Sequence, residues 1–579
     1  MLRLIWAMVA VVLLAAPAAA QTVERAPSPD WVVPVDPSAV QPEVGVAGAP
    51  MRVLLMDYQI RLEETGTRIF THNRVQILSA QGLAGMSTLA LPWNPSSQTL
   101  IAHEVNILRG DEVIDVLAGQ DFEVLRREER LESSMMTGVL TATLQPADLR
   151  VGDIVELKTS VVTRDPVLPD HGELLVGAQF PFPVERYRLR VSWPTDRAVQ
   201  IRARAPWTQP RVRRVGGLSI IEIEETDMQP LVVPGDAPSR FHQLRQFEAT
   251  DYRSWQQLSQ VMHPLYARAA TLEEGSPLQA EIDRIAATWS TPGERALEAL
   301  RLVQDDVRYV ARAMGEGGLV PVSADEVWRS RFGDCKGKTA LLIALLRGLG
   351  IEAEPAAVST VNGDGMDERL PMVGLFDHVI VRAVIDGREH WIDGARTGDR
   401  TLDTPRSPSF RWALPLRDGG ATLTRVEFSP VSRPEMTYSV VYDASAGIDA
   451  PVPVQATMMF SGAPAQLLHS GLASQTATER TQSLRRLWEP MYGGFEIQTT
   501  DSVMDETTGE LSLTMSAVGR LGWYSAAAGA PRRIELEETS VTVDLPSARS
   551  PGAHADLPQS ISGAGYATTR VEVRLPLDG

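Results

Sequence analysis

Arg331-Phe-Gly-Asp-Cys-Lys-Gly-Lys-Thr339 is the stretch on which the reading of this chain turns. It holds Cys335, the one cysteine in 579 residues, and two of the three lysines, Lys336 and Lys338. From Lys338 to Leu349 the chain is apolar almost all round (Leu341, Leu342, Ile343, Leu345, Leu346, Leu349). That pattern predicts a buried central helix, closed by Gly350. Cys335 then stands at a helix N-terminus, where orphan N–H groups and the helix dipole favour a thiolate. Lys336 and Lys338 add positive potential, and the Cys335 N–H is placed to help bind an oxyanion. Asp334 fits a capping role at the helix start. The rival reading is a buried structural cysteine, the usual fate of a free one.

A nucleophilic thiol needs a base, and the base needs a group to orient it. His378 opens an expected strand, His378–Ile385, and Asp393 ends its expected partner, Glu389–Ile392. Asp386-Gly387 between them is a strong hairpin turn signal. A tight turn there brings His378 and Asp393 to the same end of a ribbon whose strands lie about 5 Å apart, within reach of a hydrogen bond. The rival reading makes His378 one of nine ordinary histidines.

Outward from this segment the hydrophobic period changes twice. Trp255, Leu258, Val261 and Met262 have helical spacing, and helices are expected over 275–290 and 292–308. Thr291-Pro292 supplies the second of these with a cap followed by proline. A strand is expected over Glu354–Ser359. Between 50 and 232 the runs are short and alternating: Arg52–Leu62, Arg74–Leu78, Leu100–Leu108, Ile154–Val162, Tyr187–Trp193 and Leu218–Ile223. They predict an all-β, sandwich-like region. Alternation returns after 420, including Ser540–Leu545, with one helical insert near Ala477–Leu487. The expected layout is a signal peptide over 1–20, a linker over 21–49, a β domain over 50–232, an α+β core over 245–415 and a β-rich domain over 420–579.

Composition bounds the function. The chain carries 55 Lys+Arg against 73 Asp+Glu, a net charge of −18, which argues against a general nucleic-acid binder. One cysteine excludes an intrachain disulfide framework and any Cys-rich metal site. No H-E-x-x-H, G-x-S-x-G or P-loop motif occurs. Asn362-Gly-Asp-Gly-Met-Asp-Glu368 lacks the glycine and glutamate spacing of a calcium loop and reads as a solvated loop. Arg3, an apolar run from Leu4 to Ala15, and Ala18-x-Ala20 have the form of a cleavable signal peptide, which implies a periplasmic or secreted protein. No later stretch is long enough to cross a bilayer as a helix.

Phe332-Gly-Asp-Cys-Lys-Gly-Lys-Thr339, Phe376-Asp-His-Val-Ile-Val381 and Trp391-Ile-Asp393 resemble the three signature segments of the bacterial transglutaminase-like superfamily. Val307-Arg-Tyr-Val310, Pro321 and Ala324-Asp-Glu-Val-Trp328 are similar to its lead-in. Residues 50–232 resemble the DUF3857 domain that commonly precedes that core, most of all at Leu149-Arg-Val-Gly-Asp-Ile-Val-Glu156. The resemblance spans roughly residues 50–400. It implies a papain-like core in which Cys335 is nucleophile, His378 base and Asp393 orienter, with no cofactor and no metal. Two positions depart from it: Gly337, where the family often has Asp, and Gly394-Ala395, where it often has Pro-Thr.

The expected activity is acyl transfer or hydrolysis at protein or peptide amide bonds through a Cys335 thioester. Protein or peptide substrates, and envelope proteins met through the β regions, are the expected partners. Two rivals stand beside it: a periplasmic binding or assembly protein with a vestigial core, and a cysteine protease.

Overall fold

The structure is a computed structural model. It describes residues 22–35, 48–126, 135–136, 138–312, 318–402, 410–427, 433–525, 527, 530–535, 547–560 and 567–576. The expected signal peptide and the strand expected over 540–545 lie outside these. The protein is β-rich and divides into two compact units.

The first unit runs through the described residues up to Val232 and adds Arg245–Asp251. Its main sheet has nine strands. From one edge they are Glu24–Arg25, Gln98–Arg109, Ile154–Thr163, Gly66–Ile77, Met51–Glu63, Val184–Pro194, Leu218–Met228 and Arg213–Val215, with Glu112–Asp115 paired to Gln98–Arg109. One helix, α1 (Ala80–Met86), is capped by Ser79. Strand alternation sends Ile60, Leu62, Tyr187, Leu189, Val191 and Ile221 into one core. Leu174, Phe247 and Ala249 of a three-stranded sheet close it. The other sheet face buries polar groups among apolar ones such as Leu55 and Phe70. Glu156 accepts from Asn106 at 3.0 Å and Arg74 at 2.8 Å, and lies 2.8 Å from His72.

Two expectations change here. Residues 22–35, expected as linker, are part of this unit. Glu24–Arg25 pairs parallel with Ile101–Ala102, and Val33 bonds the Gln59 side chain through both its N–H and its carbonyl. Buried polar side chains need partners, and the backbone of this segment supplies them. Gln246–Thr250, expected at the head of the α+β core, is the middle strand of the three-stranded sheet.

The second unit comprises Val233–Leu244, Tyr252–Ala311 and the described residues from Val320 onward. Its helices are α2 (Trp255–Ala269), α3 (Leu278–Thr288), α4 (Pro292–Asp306), α5 (Ala324–Ser330) and α6 (Cys335–Gly348), followed later by α7 (Ala463–Ala473) and α8 (Ala477–Trp488). The expected Thr291 cap is present and is completed by Glu294. In α6, Leu341, Leu342, Ile343, Leu345 and Leu346 are all fully buried. Each such side chain contributes roughly 1.5–3 kcal/mol by leaving water. Helices α3, α4 and α5 share this core with the apolar face of an antiparallel sheet. Its strand order is Arg388–Ile392, His378–Ile385, Glu352–Val358, Trp412–Pro415 and Thr424–Arg425.

A second five-stranded sheet carries Met436–Asp443, Val452–Phe460, Phe495–Asp505, Glu510–Gly519 and Ala567–Arg574. Trp488 of α8 sits fully buried against it. This sheet belongs to the same compact unit as the α+β part, so the expected 245–415 and 420–579 domains are not separate units by contact. Helix α7 was not expected from the sequence; it turns Ala465 and Leu472 to this core and leaves Leu467 and Leu468 exposed.

Candidate active site

The site is built where α6 meets the first strands of the hairpin. Asp334 caps α6: its side chain accepts the Gly337 N–H at 2.9 Å and its carbonyl accepts the Lys338 N–H at 2.9 Å. The cap therefore uses neither the Cys335 nor the Lys336 amide. Cys335, the first helical residue, is 8% exposed. One turn on, Thr339 Oγ1 donates to the Val379 carbonyl at 3.0 Å. That bond fixes the cysteine helix to the residue next to His378.

The hairpin turn has the left-handed backbone its sequence calls for, with φ of 51° at Asp386 and 75° at Gly387. Ile385 pairs with Arg388 and Val381 with Ile392, so His378 and Asp393 lie at the open end of the ribbon. His378 Nε2 is 2.8 Å from Asp393 Oδ2. The other carboxylate oxygen accepts the Ala395 N–H at 2.8 Å, and Gln304 Nε2 donates to the Asp393 carbonyl at 2.9 Å. The other ring nitrogen of His378 is free of Asp393, and Cys335 is among the groups that act on the imidazole. Phe410 packs on the ring, with centroids 5.8 Å apart. Burial opposes protonation of His378, but the hydrogen bonds and charges of Asp393 and Cys335 outweigh it and raise its pKa to about 10. The ring is thus an imidazolium at neutral pH.

Cys335, His378 and Asp393, chosen from the sequence, are brought together from a helix N-terminus and the two ends of a hairpin. The two lysines are not arranged as expected. Lys336 pairs with the cap carboxylate of Asp334. Lys338 is buried and donates from Nζ to the Val307 carbonyl at 2.7 Å.

One residue of the site had no role assigned from sequence. Tyr309 lies in a short strand, Arg308–Tyr309, that pairs parallel with Phe332–Gly333 just before Cys335. Its phenol lies close enough to Cys335 to feel the charge of that side chain. Burial, then the charges of Cys335 and Asp334, raise the pKa of Tyr309 and of the fully buried Tyr266, so both phenols stay protonated. The parallel pairing of Arg308–Tyr309 with Phe332–Gly333 is not periodic enough to read from sequence.

Gly337 has a packing reason: a Cβ there would lie 2.9 Å from Val327 Cγ2, so the aspartate common at this position in the resembled family has no room. The Asn362–Glu368 loop is held rather than solvated. Arg240 donates to both oxygens of Asp364 at 2.9 Å, and Met366 is buried. Among the described residues no group of three or more His, Cys, Asp or Glu side chains is placed to hold a metal ion. No described helix is long and apolar enough to cross a membrane.

Comparison with known proteins bears on the first unit and on the fold. Residues 65–232 match DUF3857, a domain of unknown function with a solved structure. No curated protein matches the chain. A crystal structure named "putative protease", from Parabacteroides distasonis ATCC 8503, is similar over 81% of this chain and 93% of that one, with a TM-score of 0.54 and 13% identity. That likeness is one of fold. An M1 zinc metallopeptidase from Deinococcus radiodurans covers 35% of this chain and 42% of its own at 13% identity, with a TM-score of 0.19, which supports no shared fold.

Proposed function

We propose that the protein is a thiol acyltransferase or amide hydrolase of transglutaminase-like type, exported through an N-terminal signal peptide. In this reading the α+β part of the second unit is a papain-like core, and the flanking β regions serve delivery or docking to envelope proteins. One observation carries the reading: the His378–Asp393 hydrogen bond, with Cys335 at a helix N-terminus acting on the same imidazole.

The chemistry follows from that chain. His378 takes the proton of Cys335, and Asp393 holds the ring tautomer and its charge. The thiolate attacks the carbonyl carbon of a carboxamide or peptide bond. The carbon–nitrogen bond then breaks, and the imidazolium proton passes to the leaving nitrogen, which departs as ammonia or an amine. A thioester on Cys335 remains. A primary amine or water attacks it, His378 takes the proton of that nucleophile, and the carbon–sulfur bond breaks to restore the thiolate. The Cys335 N–H and the Tyr309 hydroxyl are the donors at hand for the oxyanion. The acceptor, amine or water, decides between transfer and hydrolysis.

The test incubates the full chain and Cys335→Ala with a glutamine donor peptide, with and without a labelled primary amine. Amine incorporation that depends on Cys335 is the result expected for transfer, and Cys335-dependent release of ammonia or cleavage for hydrolysis. Absence of any Cys335-dependent product across a broad donor panel would sink the enzymatic reading in favour of a binding protein.

A further inference from the structure

We propose that Gln304 is the positioning residue for Asp393: its side-chain amide clamps the loop 393–399 onto α4 and so aims the Asp393 carboxylate at His378. The proposal rests on the thiol reading above.

Gln304 is 3% exposed and lies on the buried face of α4 with Ala296, Leu300 and Val303. Burying an amide costs free energy unless its polar atoms are bonded, and a methionine of the same length would fill this space without that cost. Packing alone therefore does not account for a glutamine, whereas its hydrogen bonds do. Nε2 donates to the Asp393 carbonyl at 2.9 Å and to Asp399 Oδ2 at 2.8 Å, and Oε1 accepts the Asp399 N–H at 3.0 Å. A backbone N–H can only donate, so Oε1 must face it, and the two amide protons then fall on the two acceptors. The amide thus has one orientation, and it bridges the first and last residues of the loop. Asp393 is held tightly inside that bridge. Its carbonyl also accepts the Arg396 N–H at 3.3 Å, its Oδ1 accepts the Ala395 N–H at 2.8 Å, and Oδ2 is left for His378 at 2.8 Å. Gly394 brings the loop against both α4 and α6: a Cβ there would lie 3.1 Å from Val303 Cγ1 and 3.4 Å from the Lys338 carbonyl. That close approach gives a reason for glycine where the resembled family often has proline.

Without the amide, the Asp393 carbonyl keeps only its longer bond to Arg396, and the carboxylate can turn away from the imidazole with its backbone. The experiment uses the full chain labelled with nitrogen-isotope histidine. It reads the imidazole N–H resonance of His378, assigned by its loss in His378→Asn, together with Cys335 alkylation by iodoacetamide at pH 7 and a thermal melt. For Gln304→Met we expect that resonance to leave its downfield, carboxylate-bonded position and the alkylation rate to fall about fivefold. Leu300→Ala, one turn earlier on the same buried face, removes packing but no bond to the loop. It should lower the melting temperature and leave resonance and rate at their wild-type values, which separates aiming from stability. A folded Gln304→Met protein with the wild-type resonance and a rate within about twofold overturns the proposal. So does a Leu300→Ala protein that shows the same changes as Gln304→Met. Should Gln304→Met fail to fold, hydrogen exchange of the wild type decides it. The Ala395 and Asp399 N–H groups should exchange as slowly as the amides of α4, and exchange as fast as an exposed loop overturns the proposal. Neither readout needs an acyl donor, so this outcome is independent of the thiol reading, whose own failure shows as the absence of any Cys335-dependent product.

Discussion

Asp393→Asn is the sharpest perturbation of the proposed chain, because it changes charge and proton direction at almost constant volume. In the wild type both carboxylate oxygens are engaged, Oδ2 with His378 and Oδ1 with the Ala395 N–H. An asparagine can keep Oδ1 on Ala395 but then presents an NH₂ to the imidazole, so the ring must accept there and carry its proton toward the sulfur. A hydrogen bond to a charged partner contributes about 1.5–3 kcal/mol, and a factor of ten in equilibrium is about 1.4 kcal/mol. The imidazolium population at pH 7, and with it the alkylation rate of Cys335, should therefore fall roughly ten- to a hundredfold. The rise of the His378 pKa from 6.5 to about 10 corresponds to on the order of 5 kcal/mol, the surplus of its partners over the cost of burial. A pKa raised on folding contributes stability that is fully present below about 6.5 and is lost as pH rises through about 10. The stability gap between wild type and Asp393→Asn should accordingly narrow from neutral pH toward pH 10. Iodoacetamide kinetics and denaturant melts across that range measure both. An alkylation rate within twofold of wild type, together with a pH-independent stability gap, would refute the reasoning.

Two further substitutions test the packing on which the site and the first unit depend. Gly337→Asp should lower stability by about 1–3 kcal/mol, since its Cβ would meet Val327 Cγ2 at 2.9 Å in a filled core; an unchanged melting temperature would show that the helix start can shift. Glu156→Gln in the first unit should cost about 3–5 kcal/mol at pH 7, because it removes the anion that His72, Arg74 and Asn106 surround. Burial alone would raise the Glu156 pKa, but those three partners hold it well below the usual carboxylate range. Its contribution is thus present above about 4.5 and lost as pH falls, and a destabilisation that persists unchanged into strong acid would count against it.

The hairpin was legible because its signals are local. Asp-Gly admits left-handed backbone at both turn positions, and the strand His378–Ile385 has the bounds its alternation implies. The cysteine helix was legible because the unbroken apolar run Ala340–Leu346 has no soluble alternative to burial. The strands of the nine-stranded sheet were legible one at a time, but not their order, since parallel pairs such as Val184–Pro194 with Met51–Glu63 join segments far apart in the chain. Residues 22–35 carry no periodicity at all, and only the polar groups on the sheet face they cover explain their place.

What the sequence by itself determined is therefore the cysteine helix and the hairpin: Cys335 at a helix start, and His378 and Asp393 at the open end of a two-strand ribbon. Only the tertiary structure decided what surrounds them. Lys336 turned to the cap carboxylate, and Lys338 turned inward to the Val307 carbonyl. Tyr309 arrived through a two-residue parallel pairing, and Gln304 reached the Asp393 backbone across 89 residues of chain. Local patterning sets which face of an element is buried, whereas the partners of a buried polar group are fixed by whichever distant segment the packed core brings within hydrogen-bond reach.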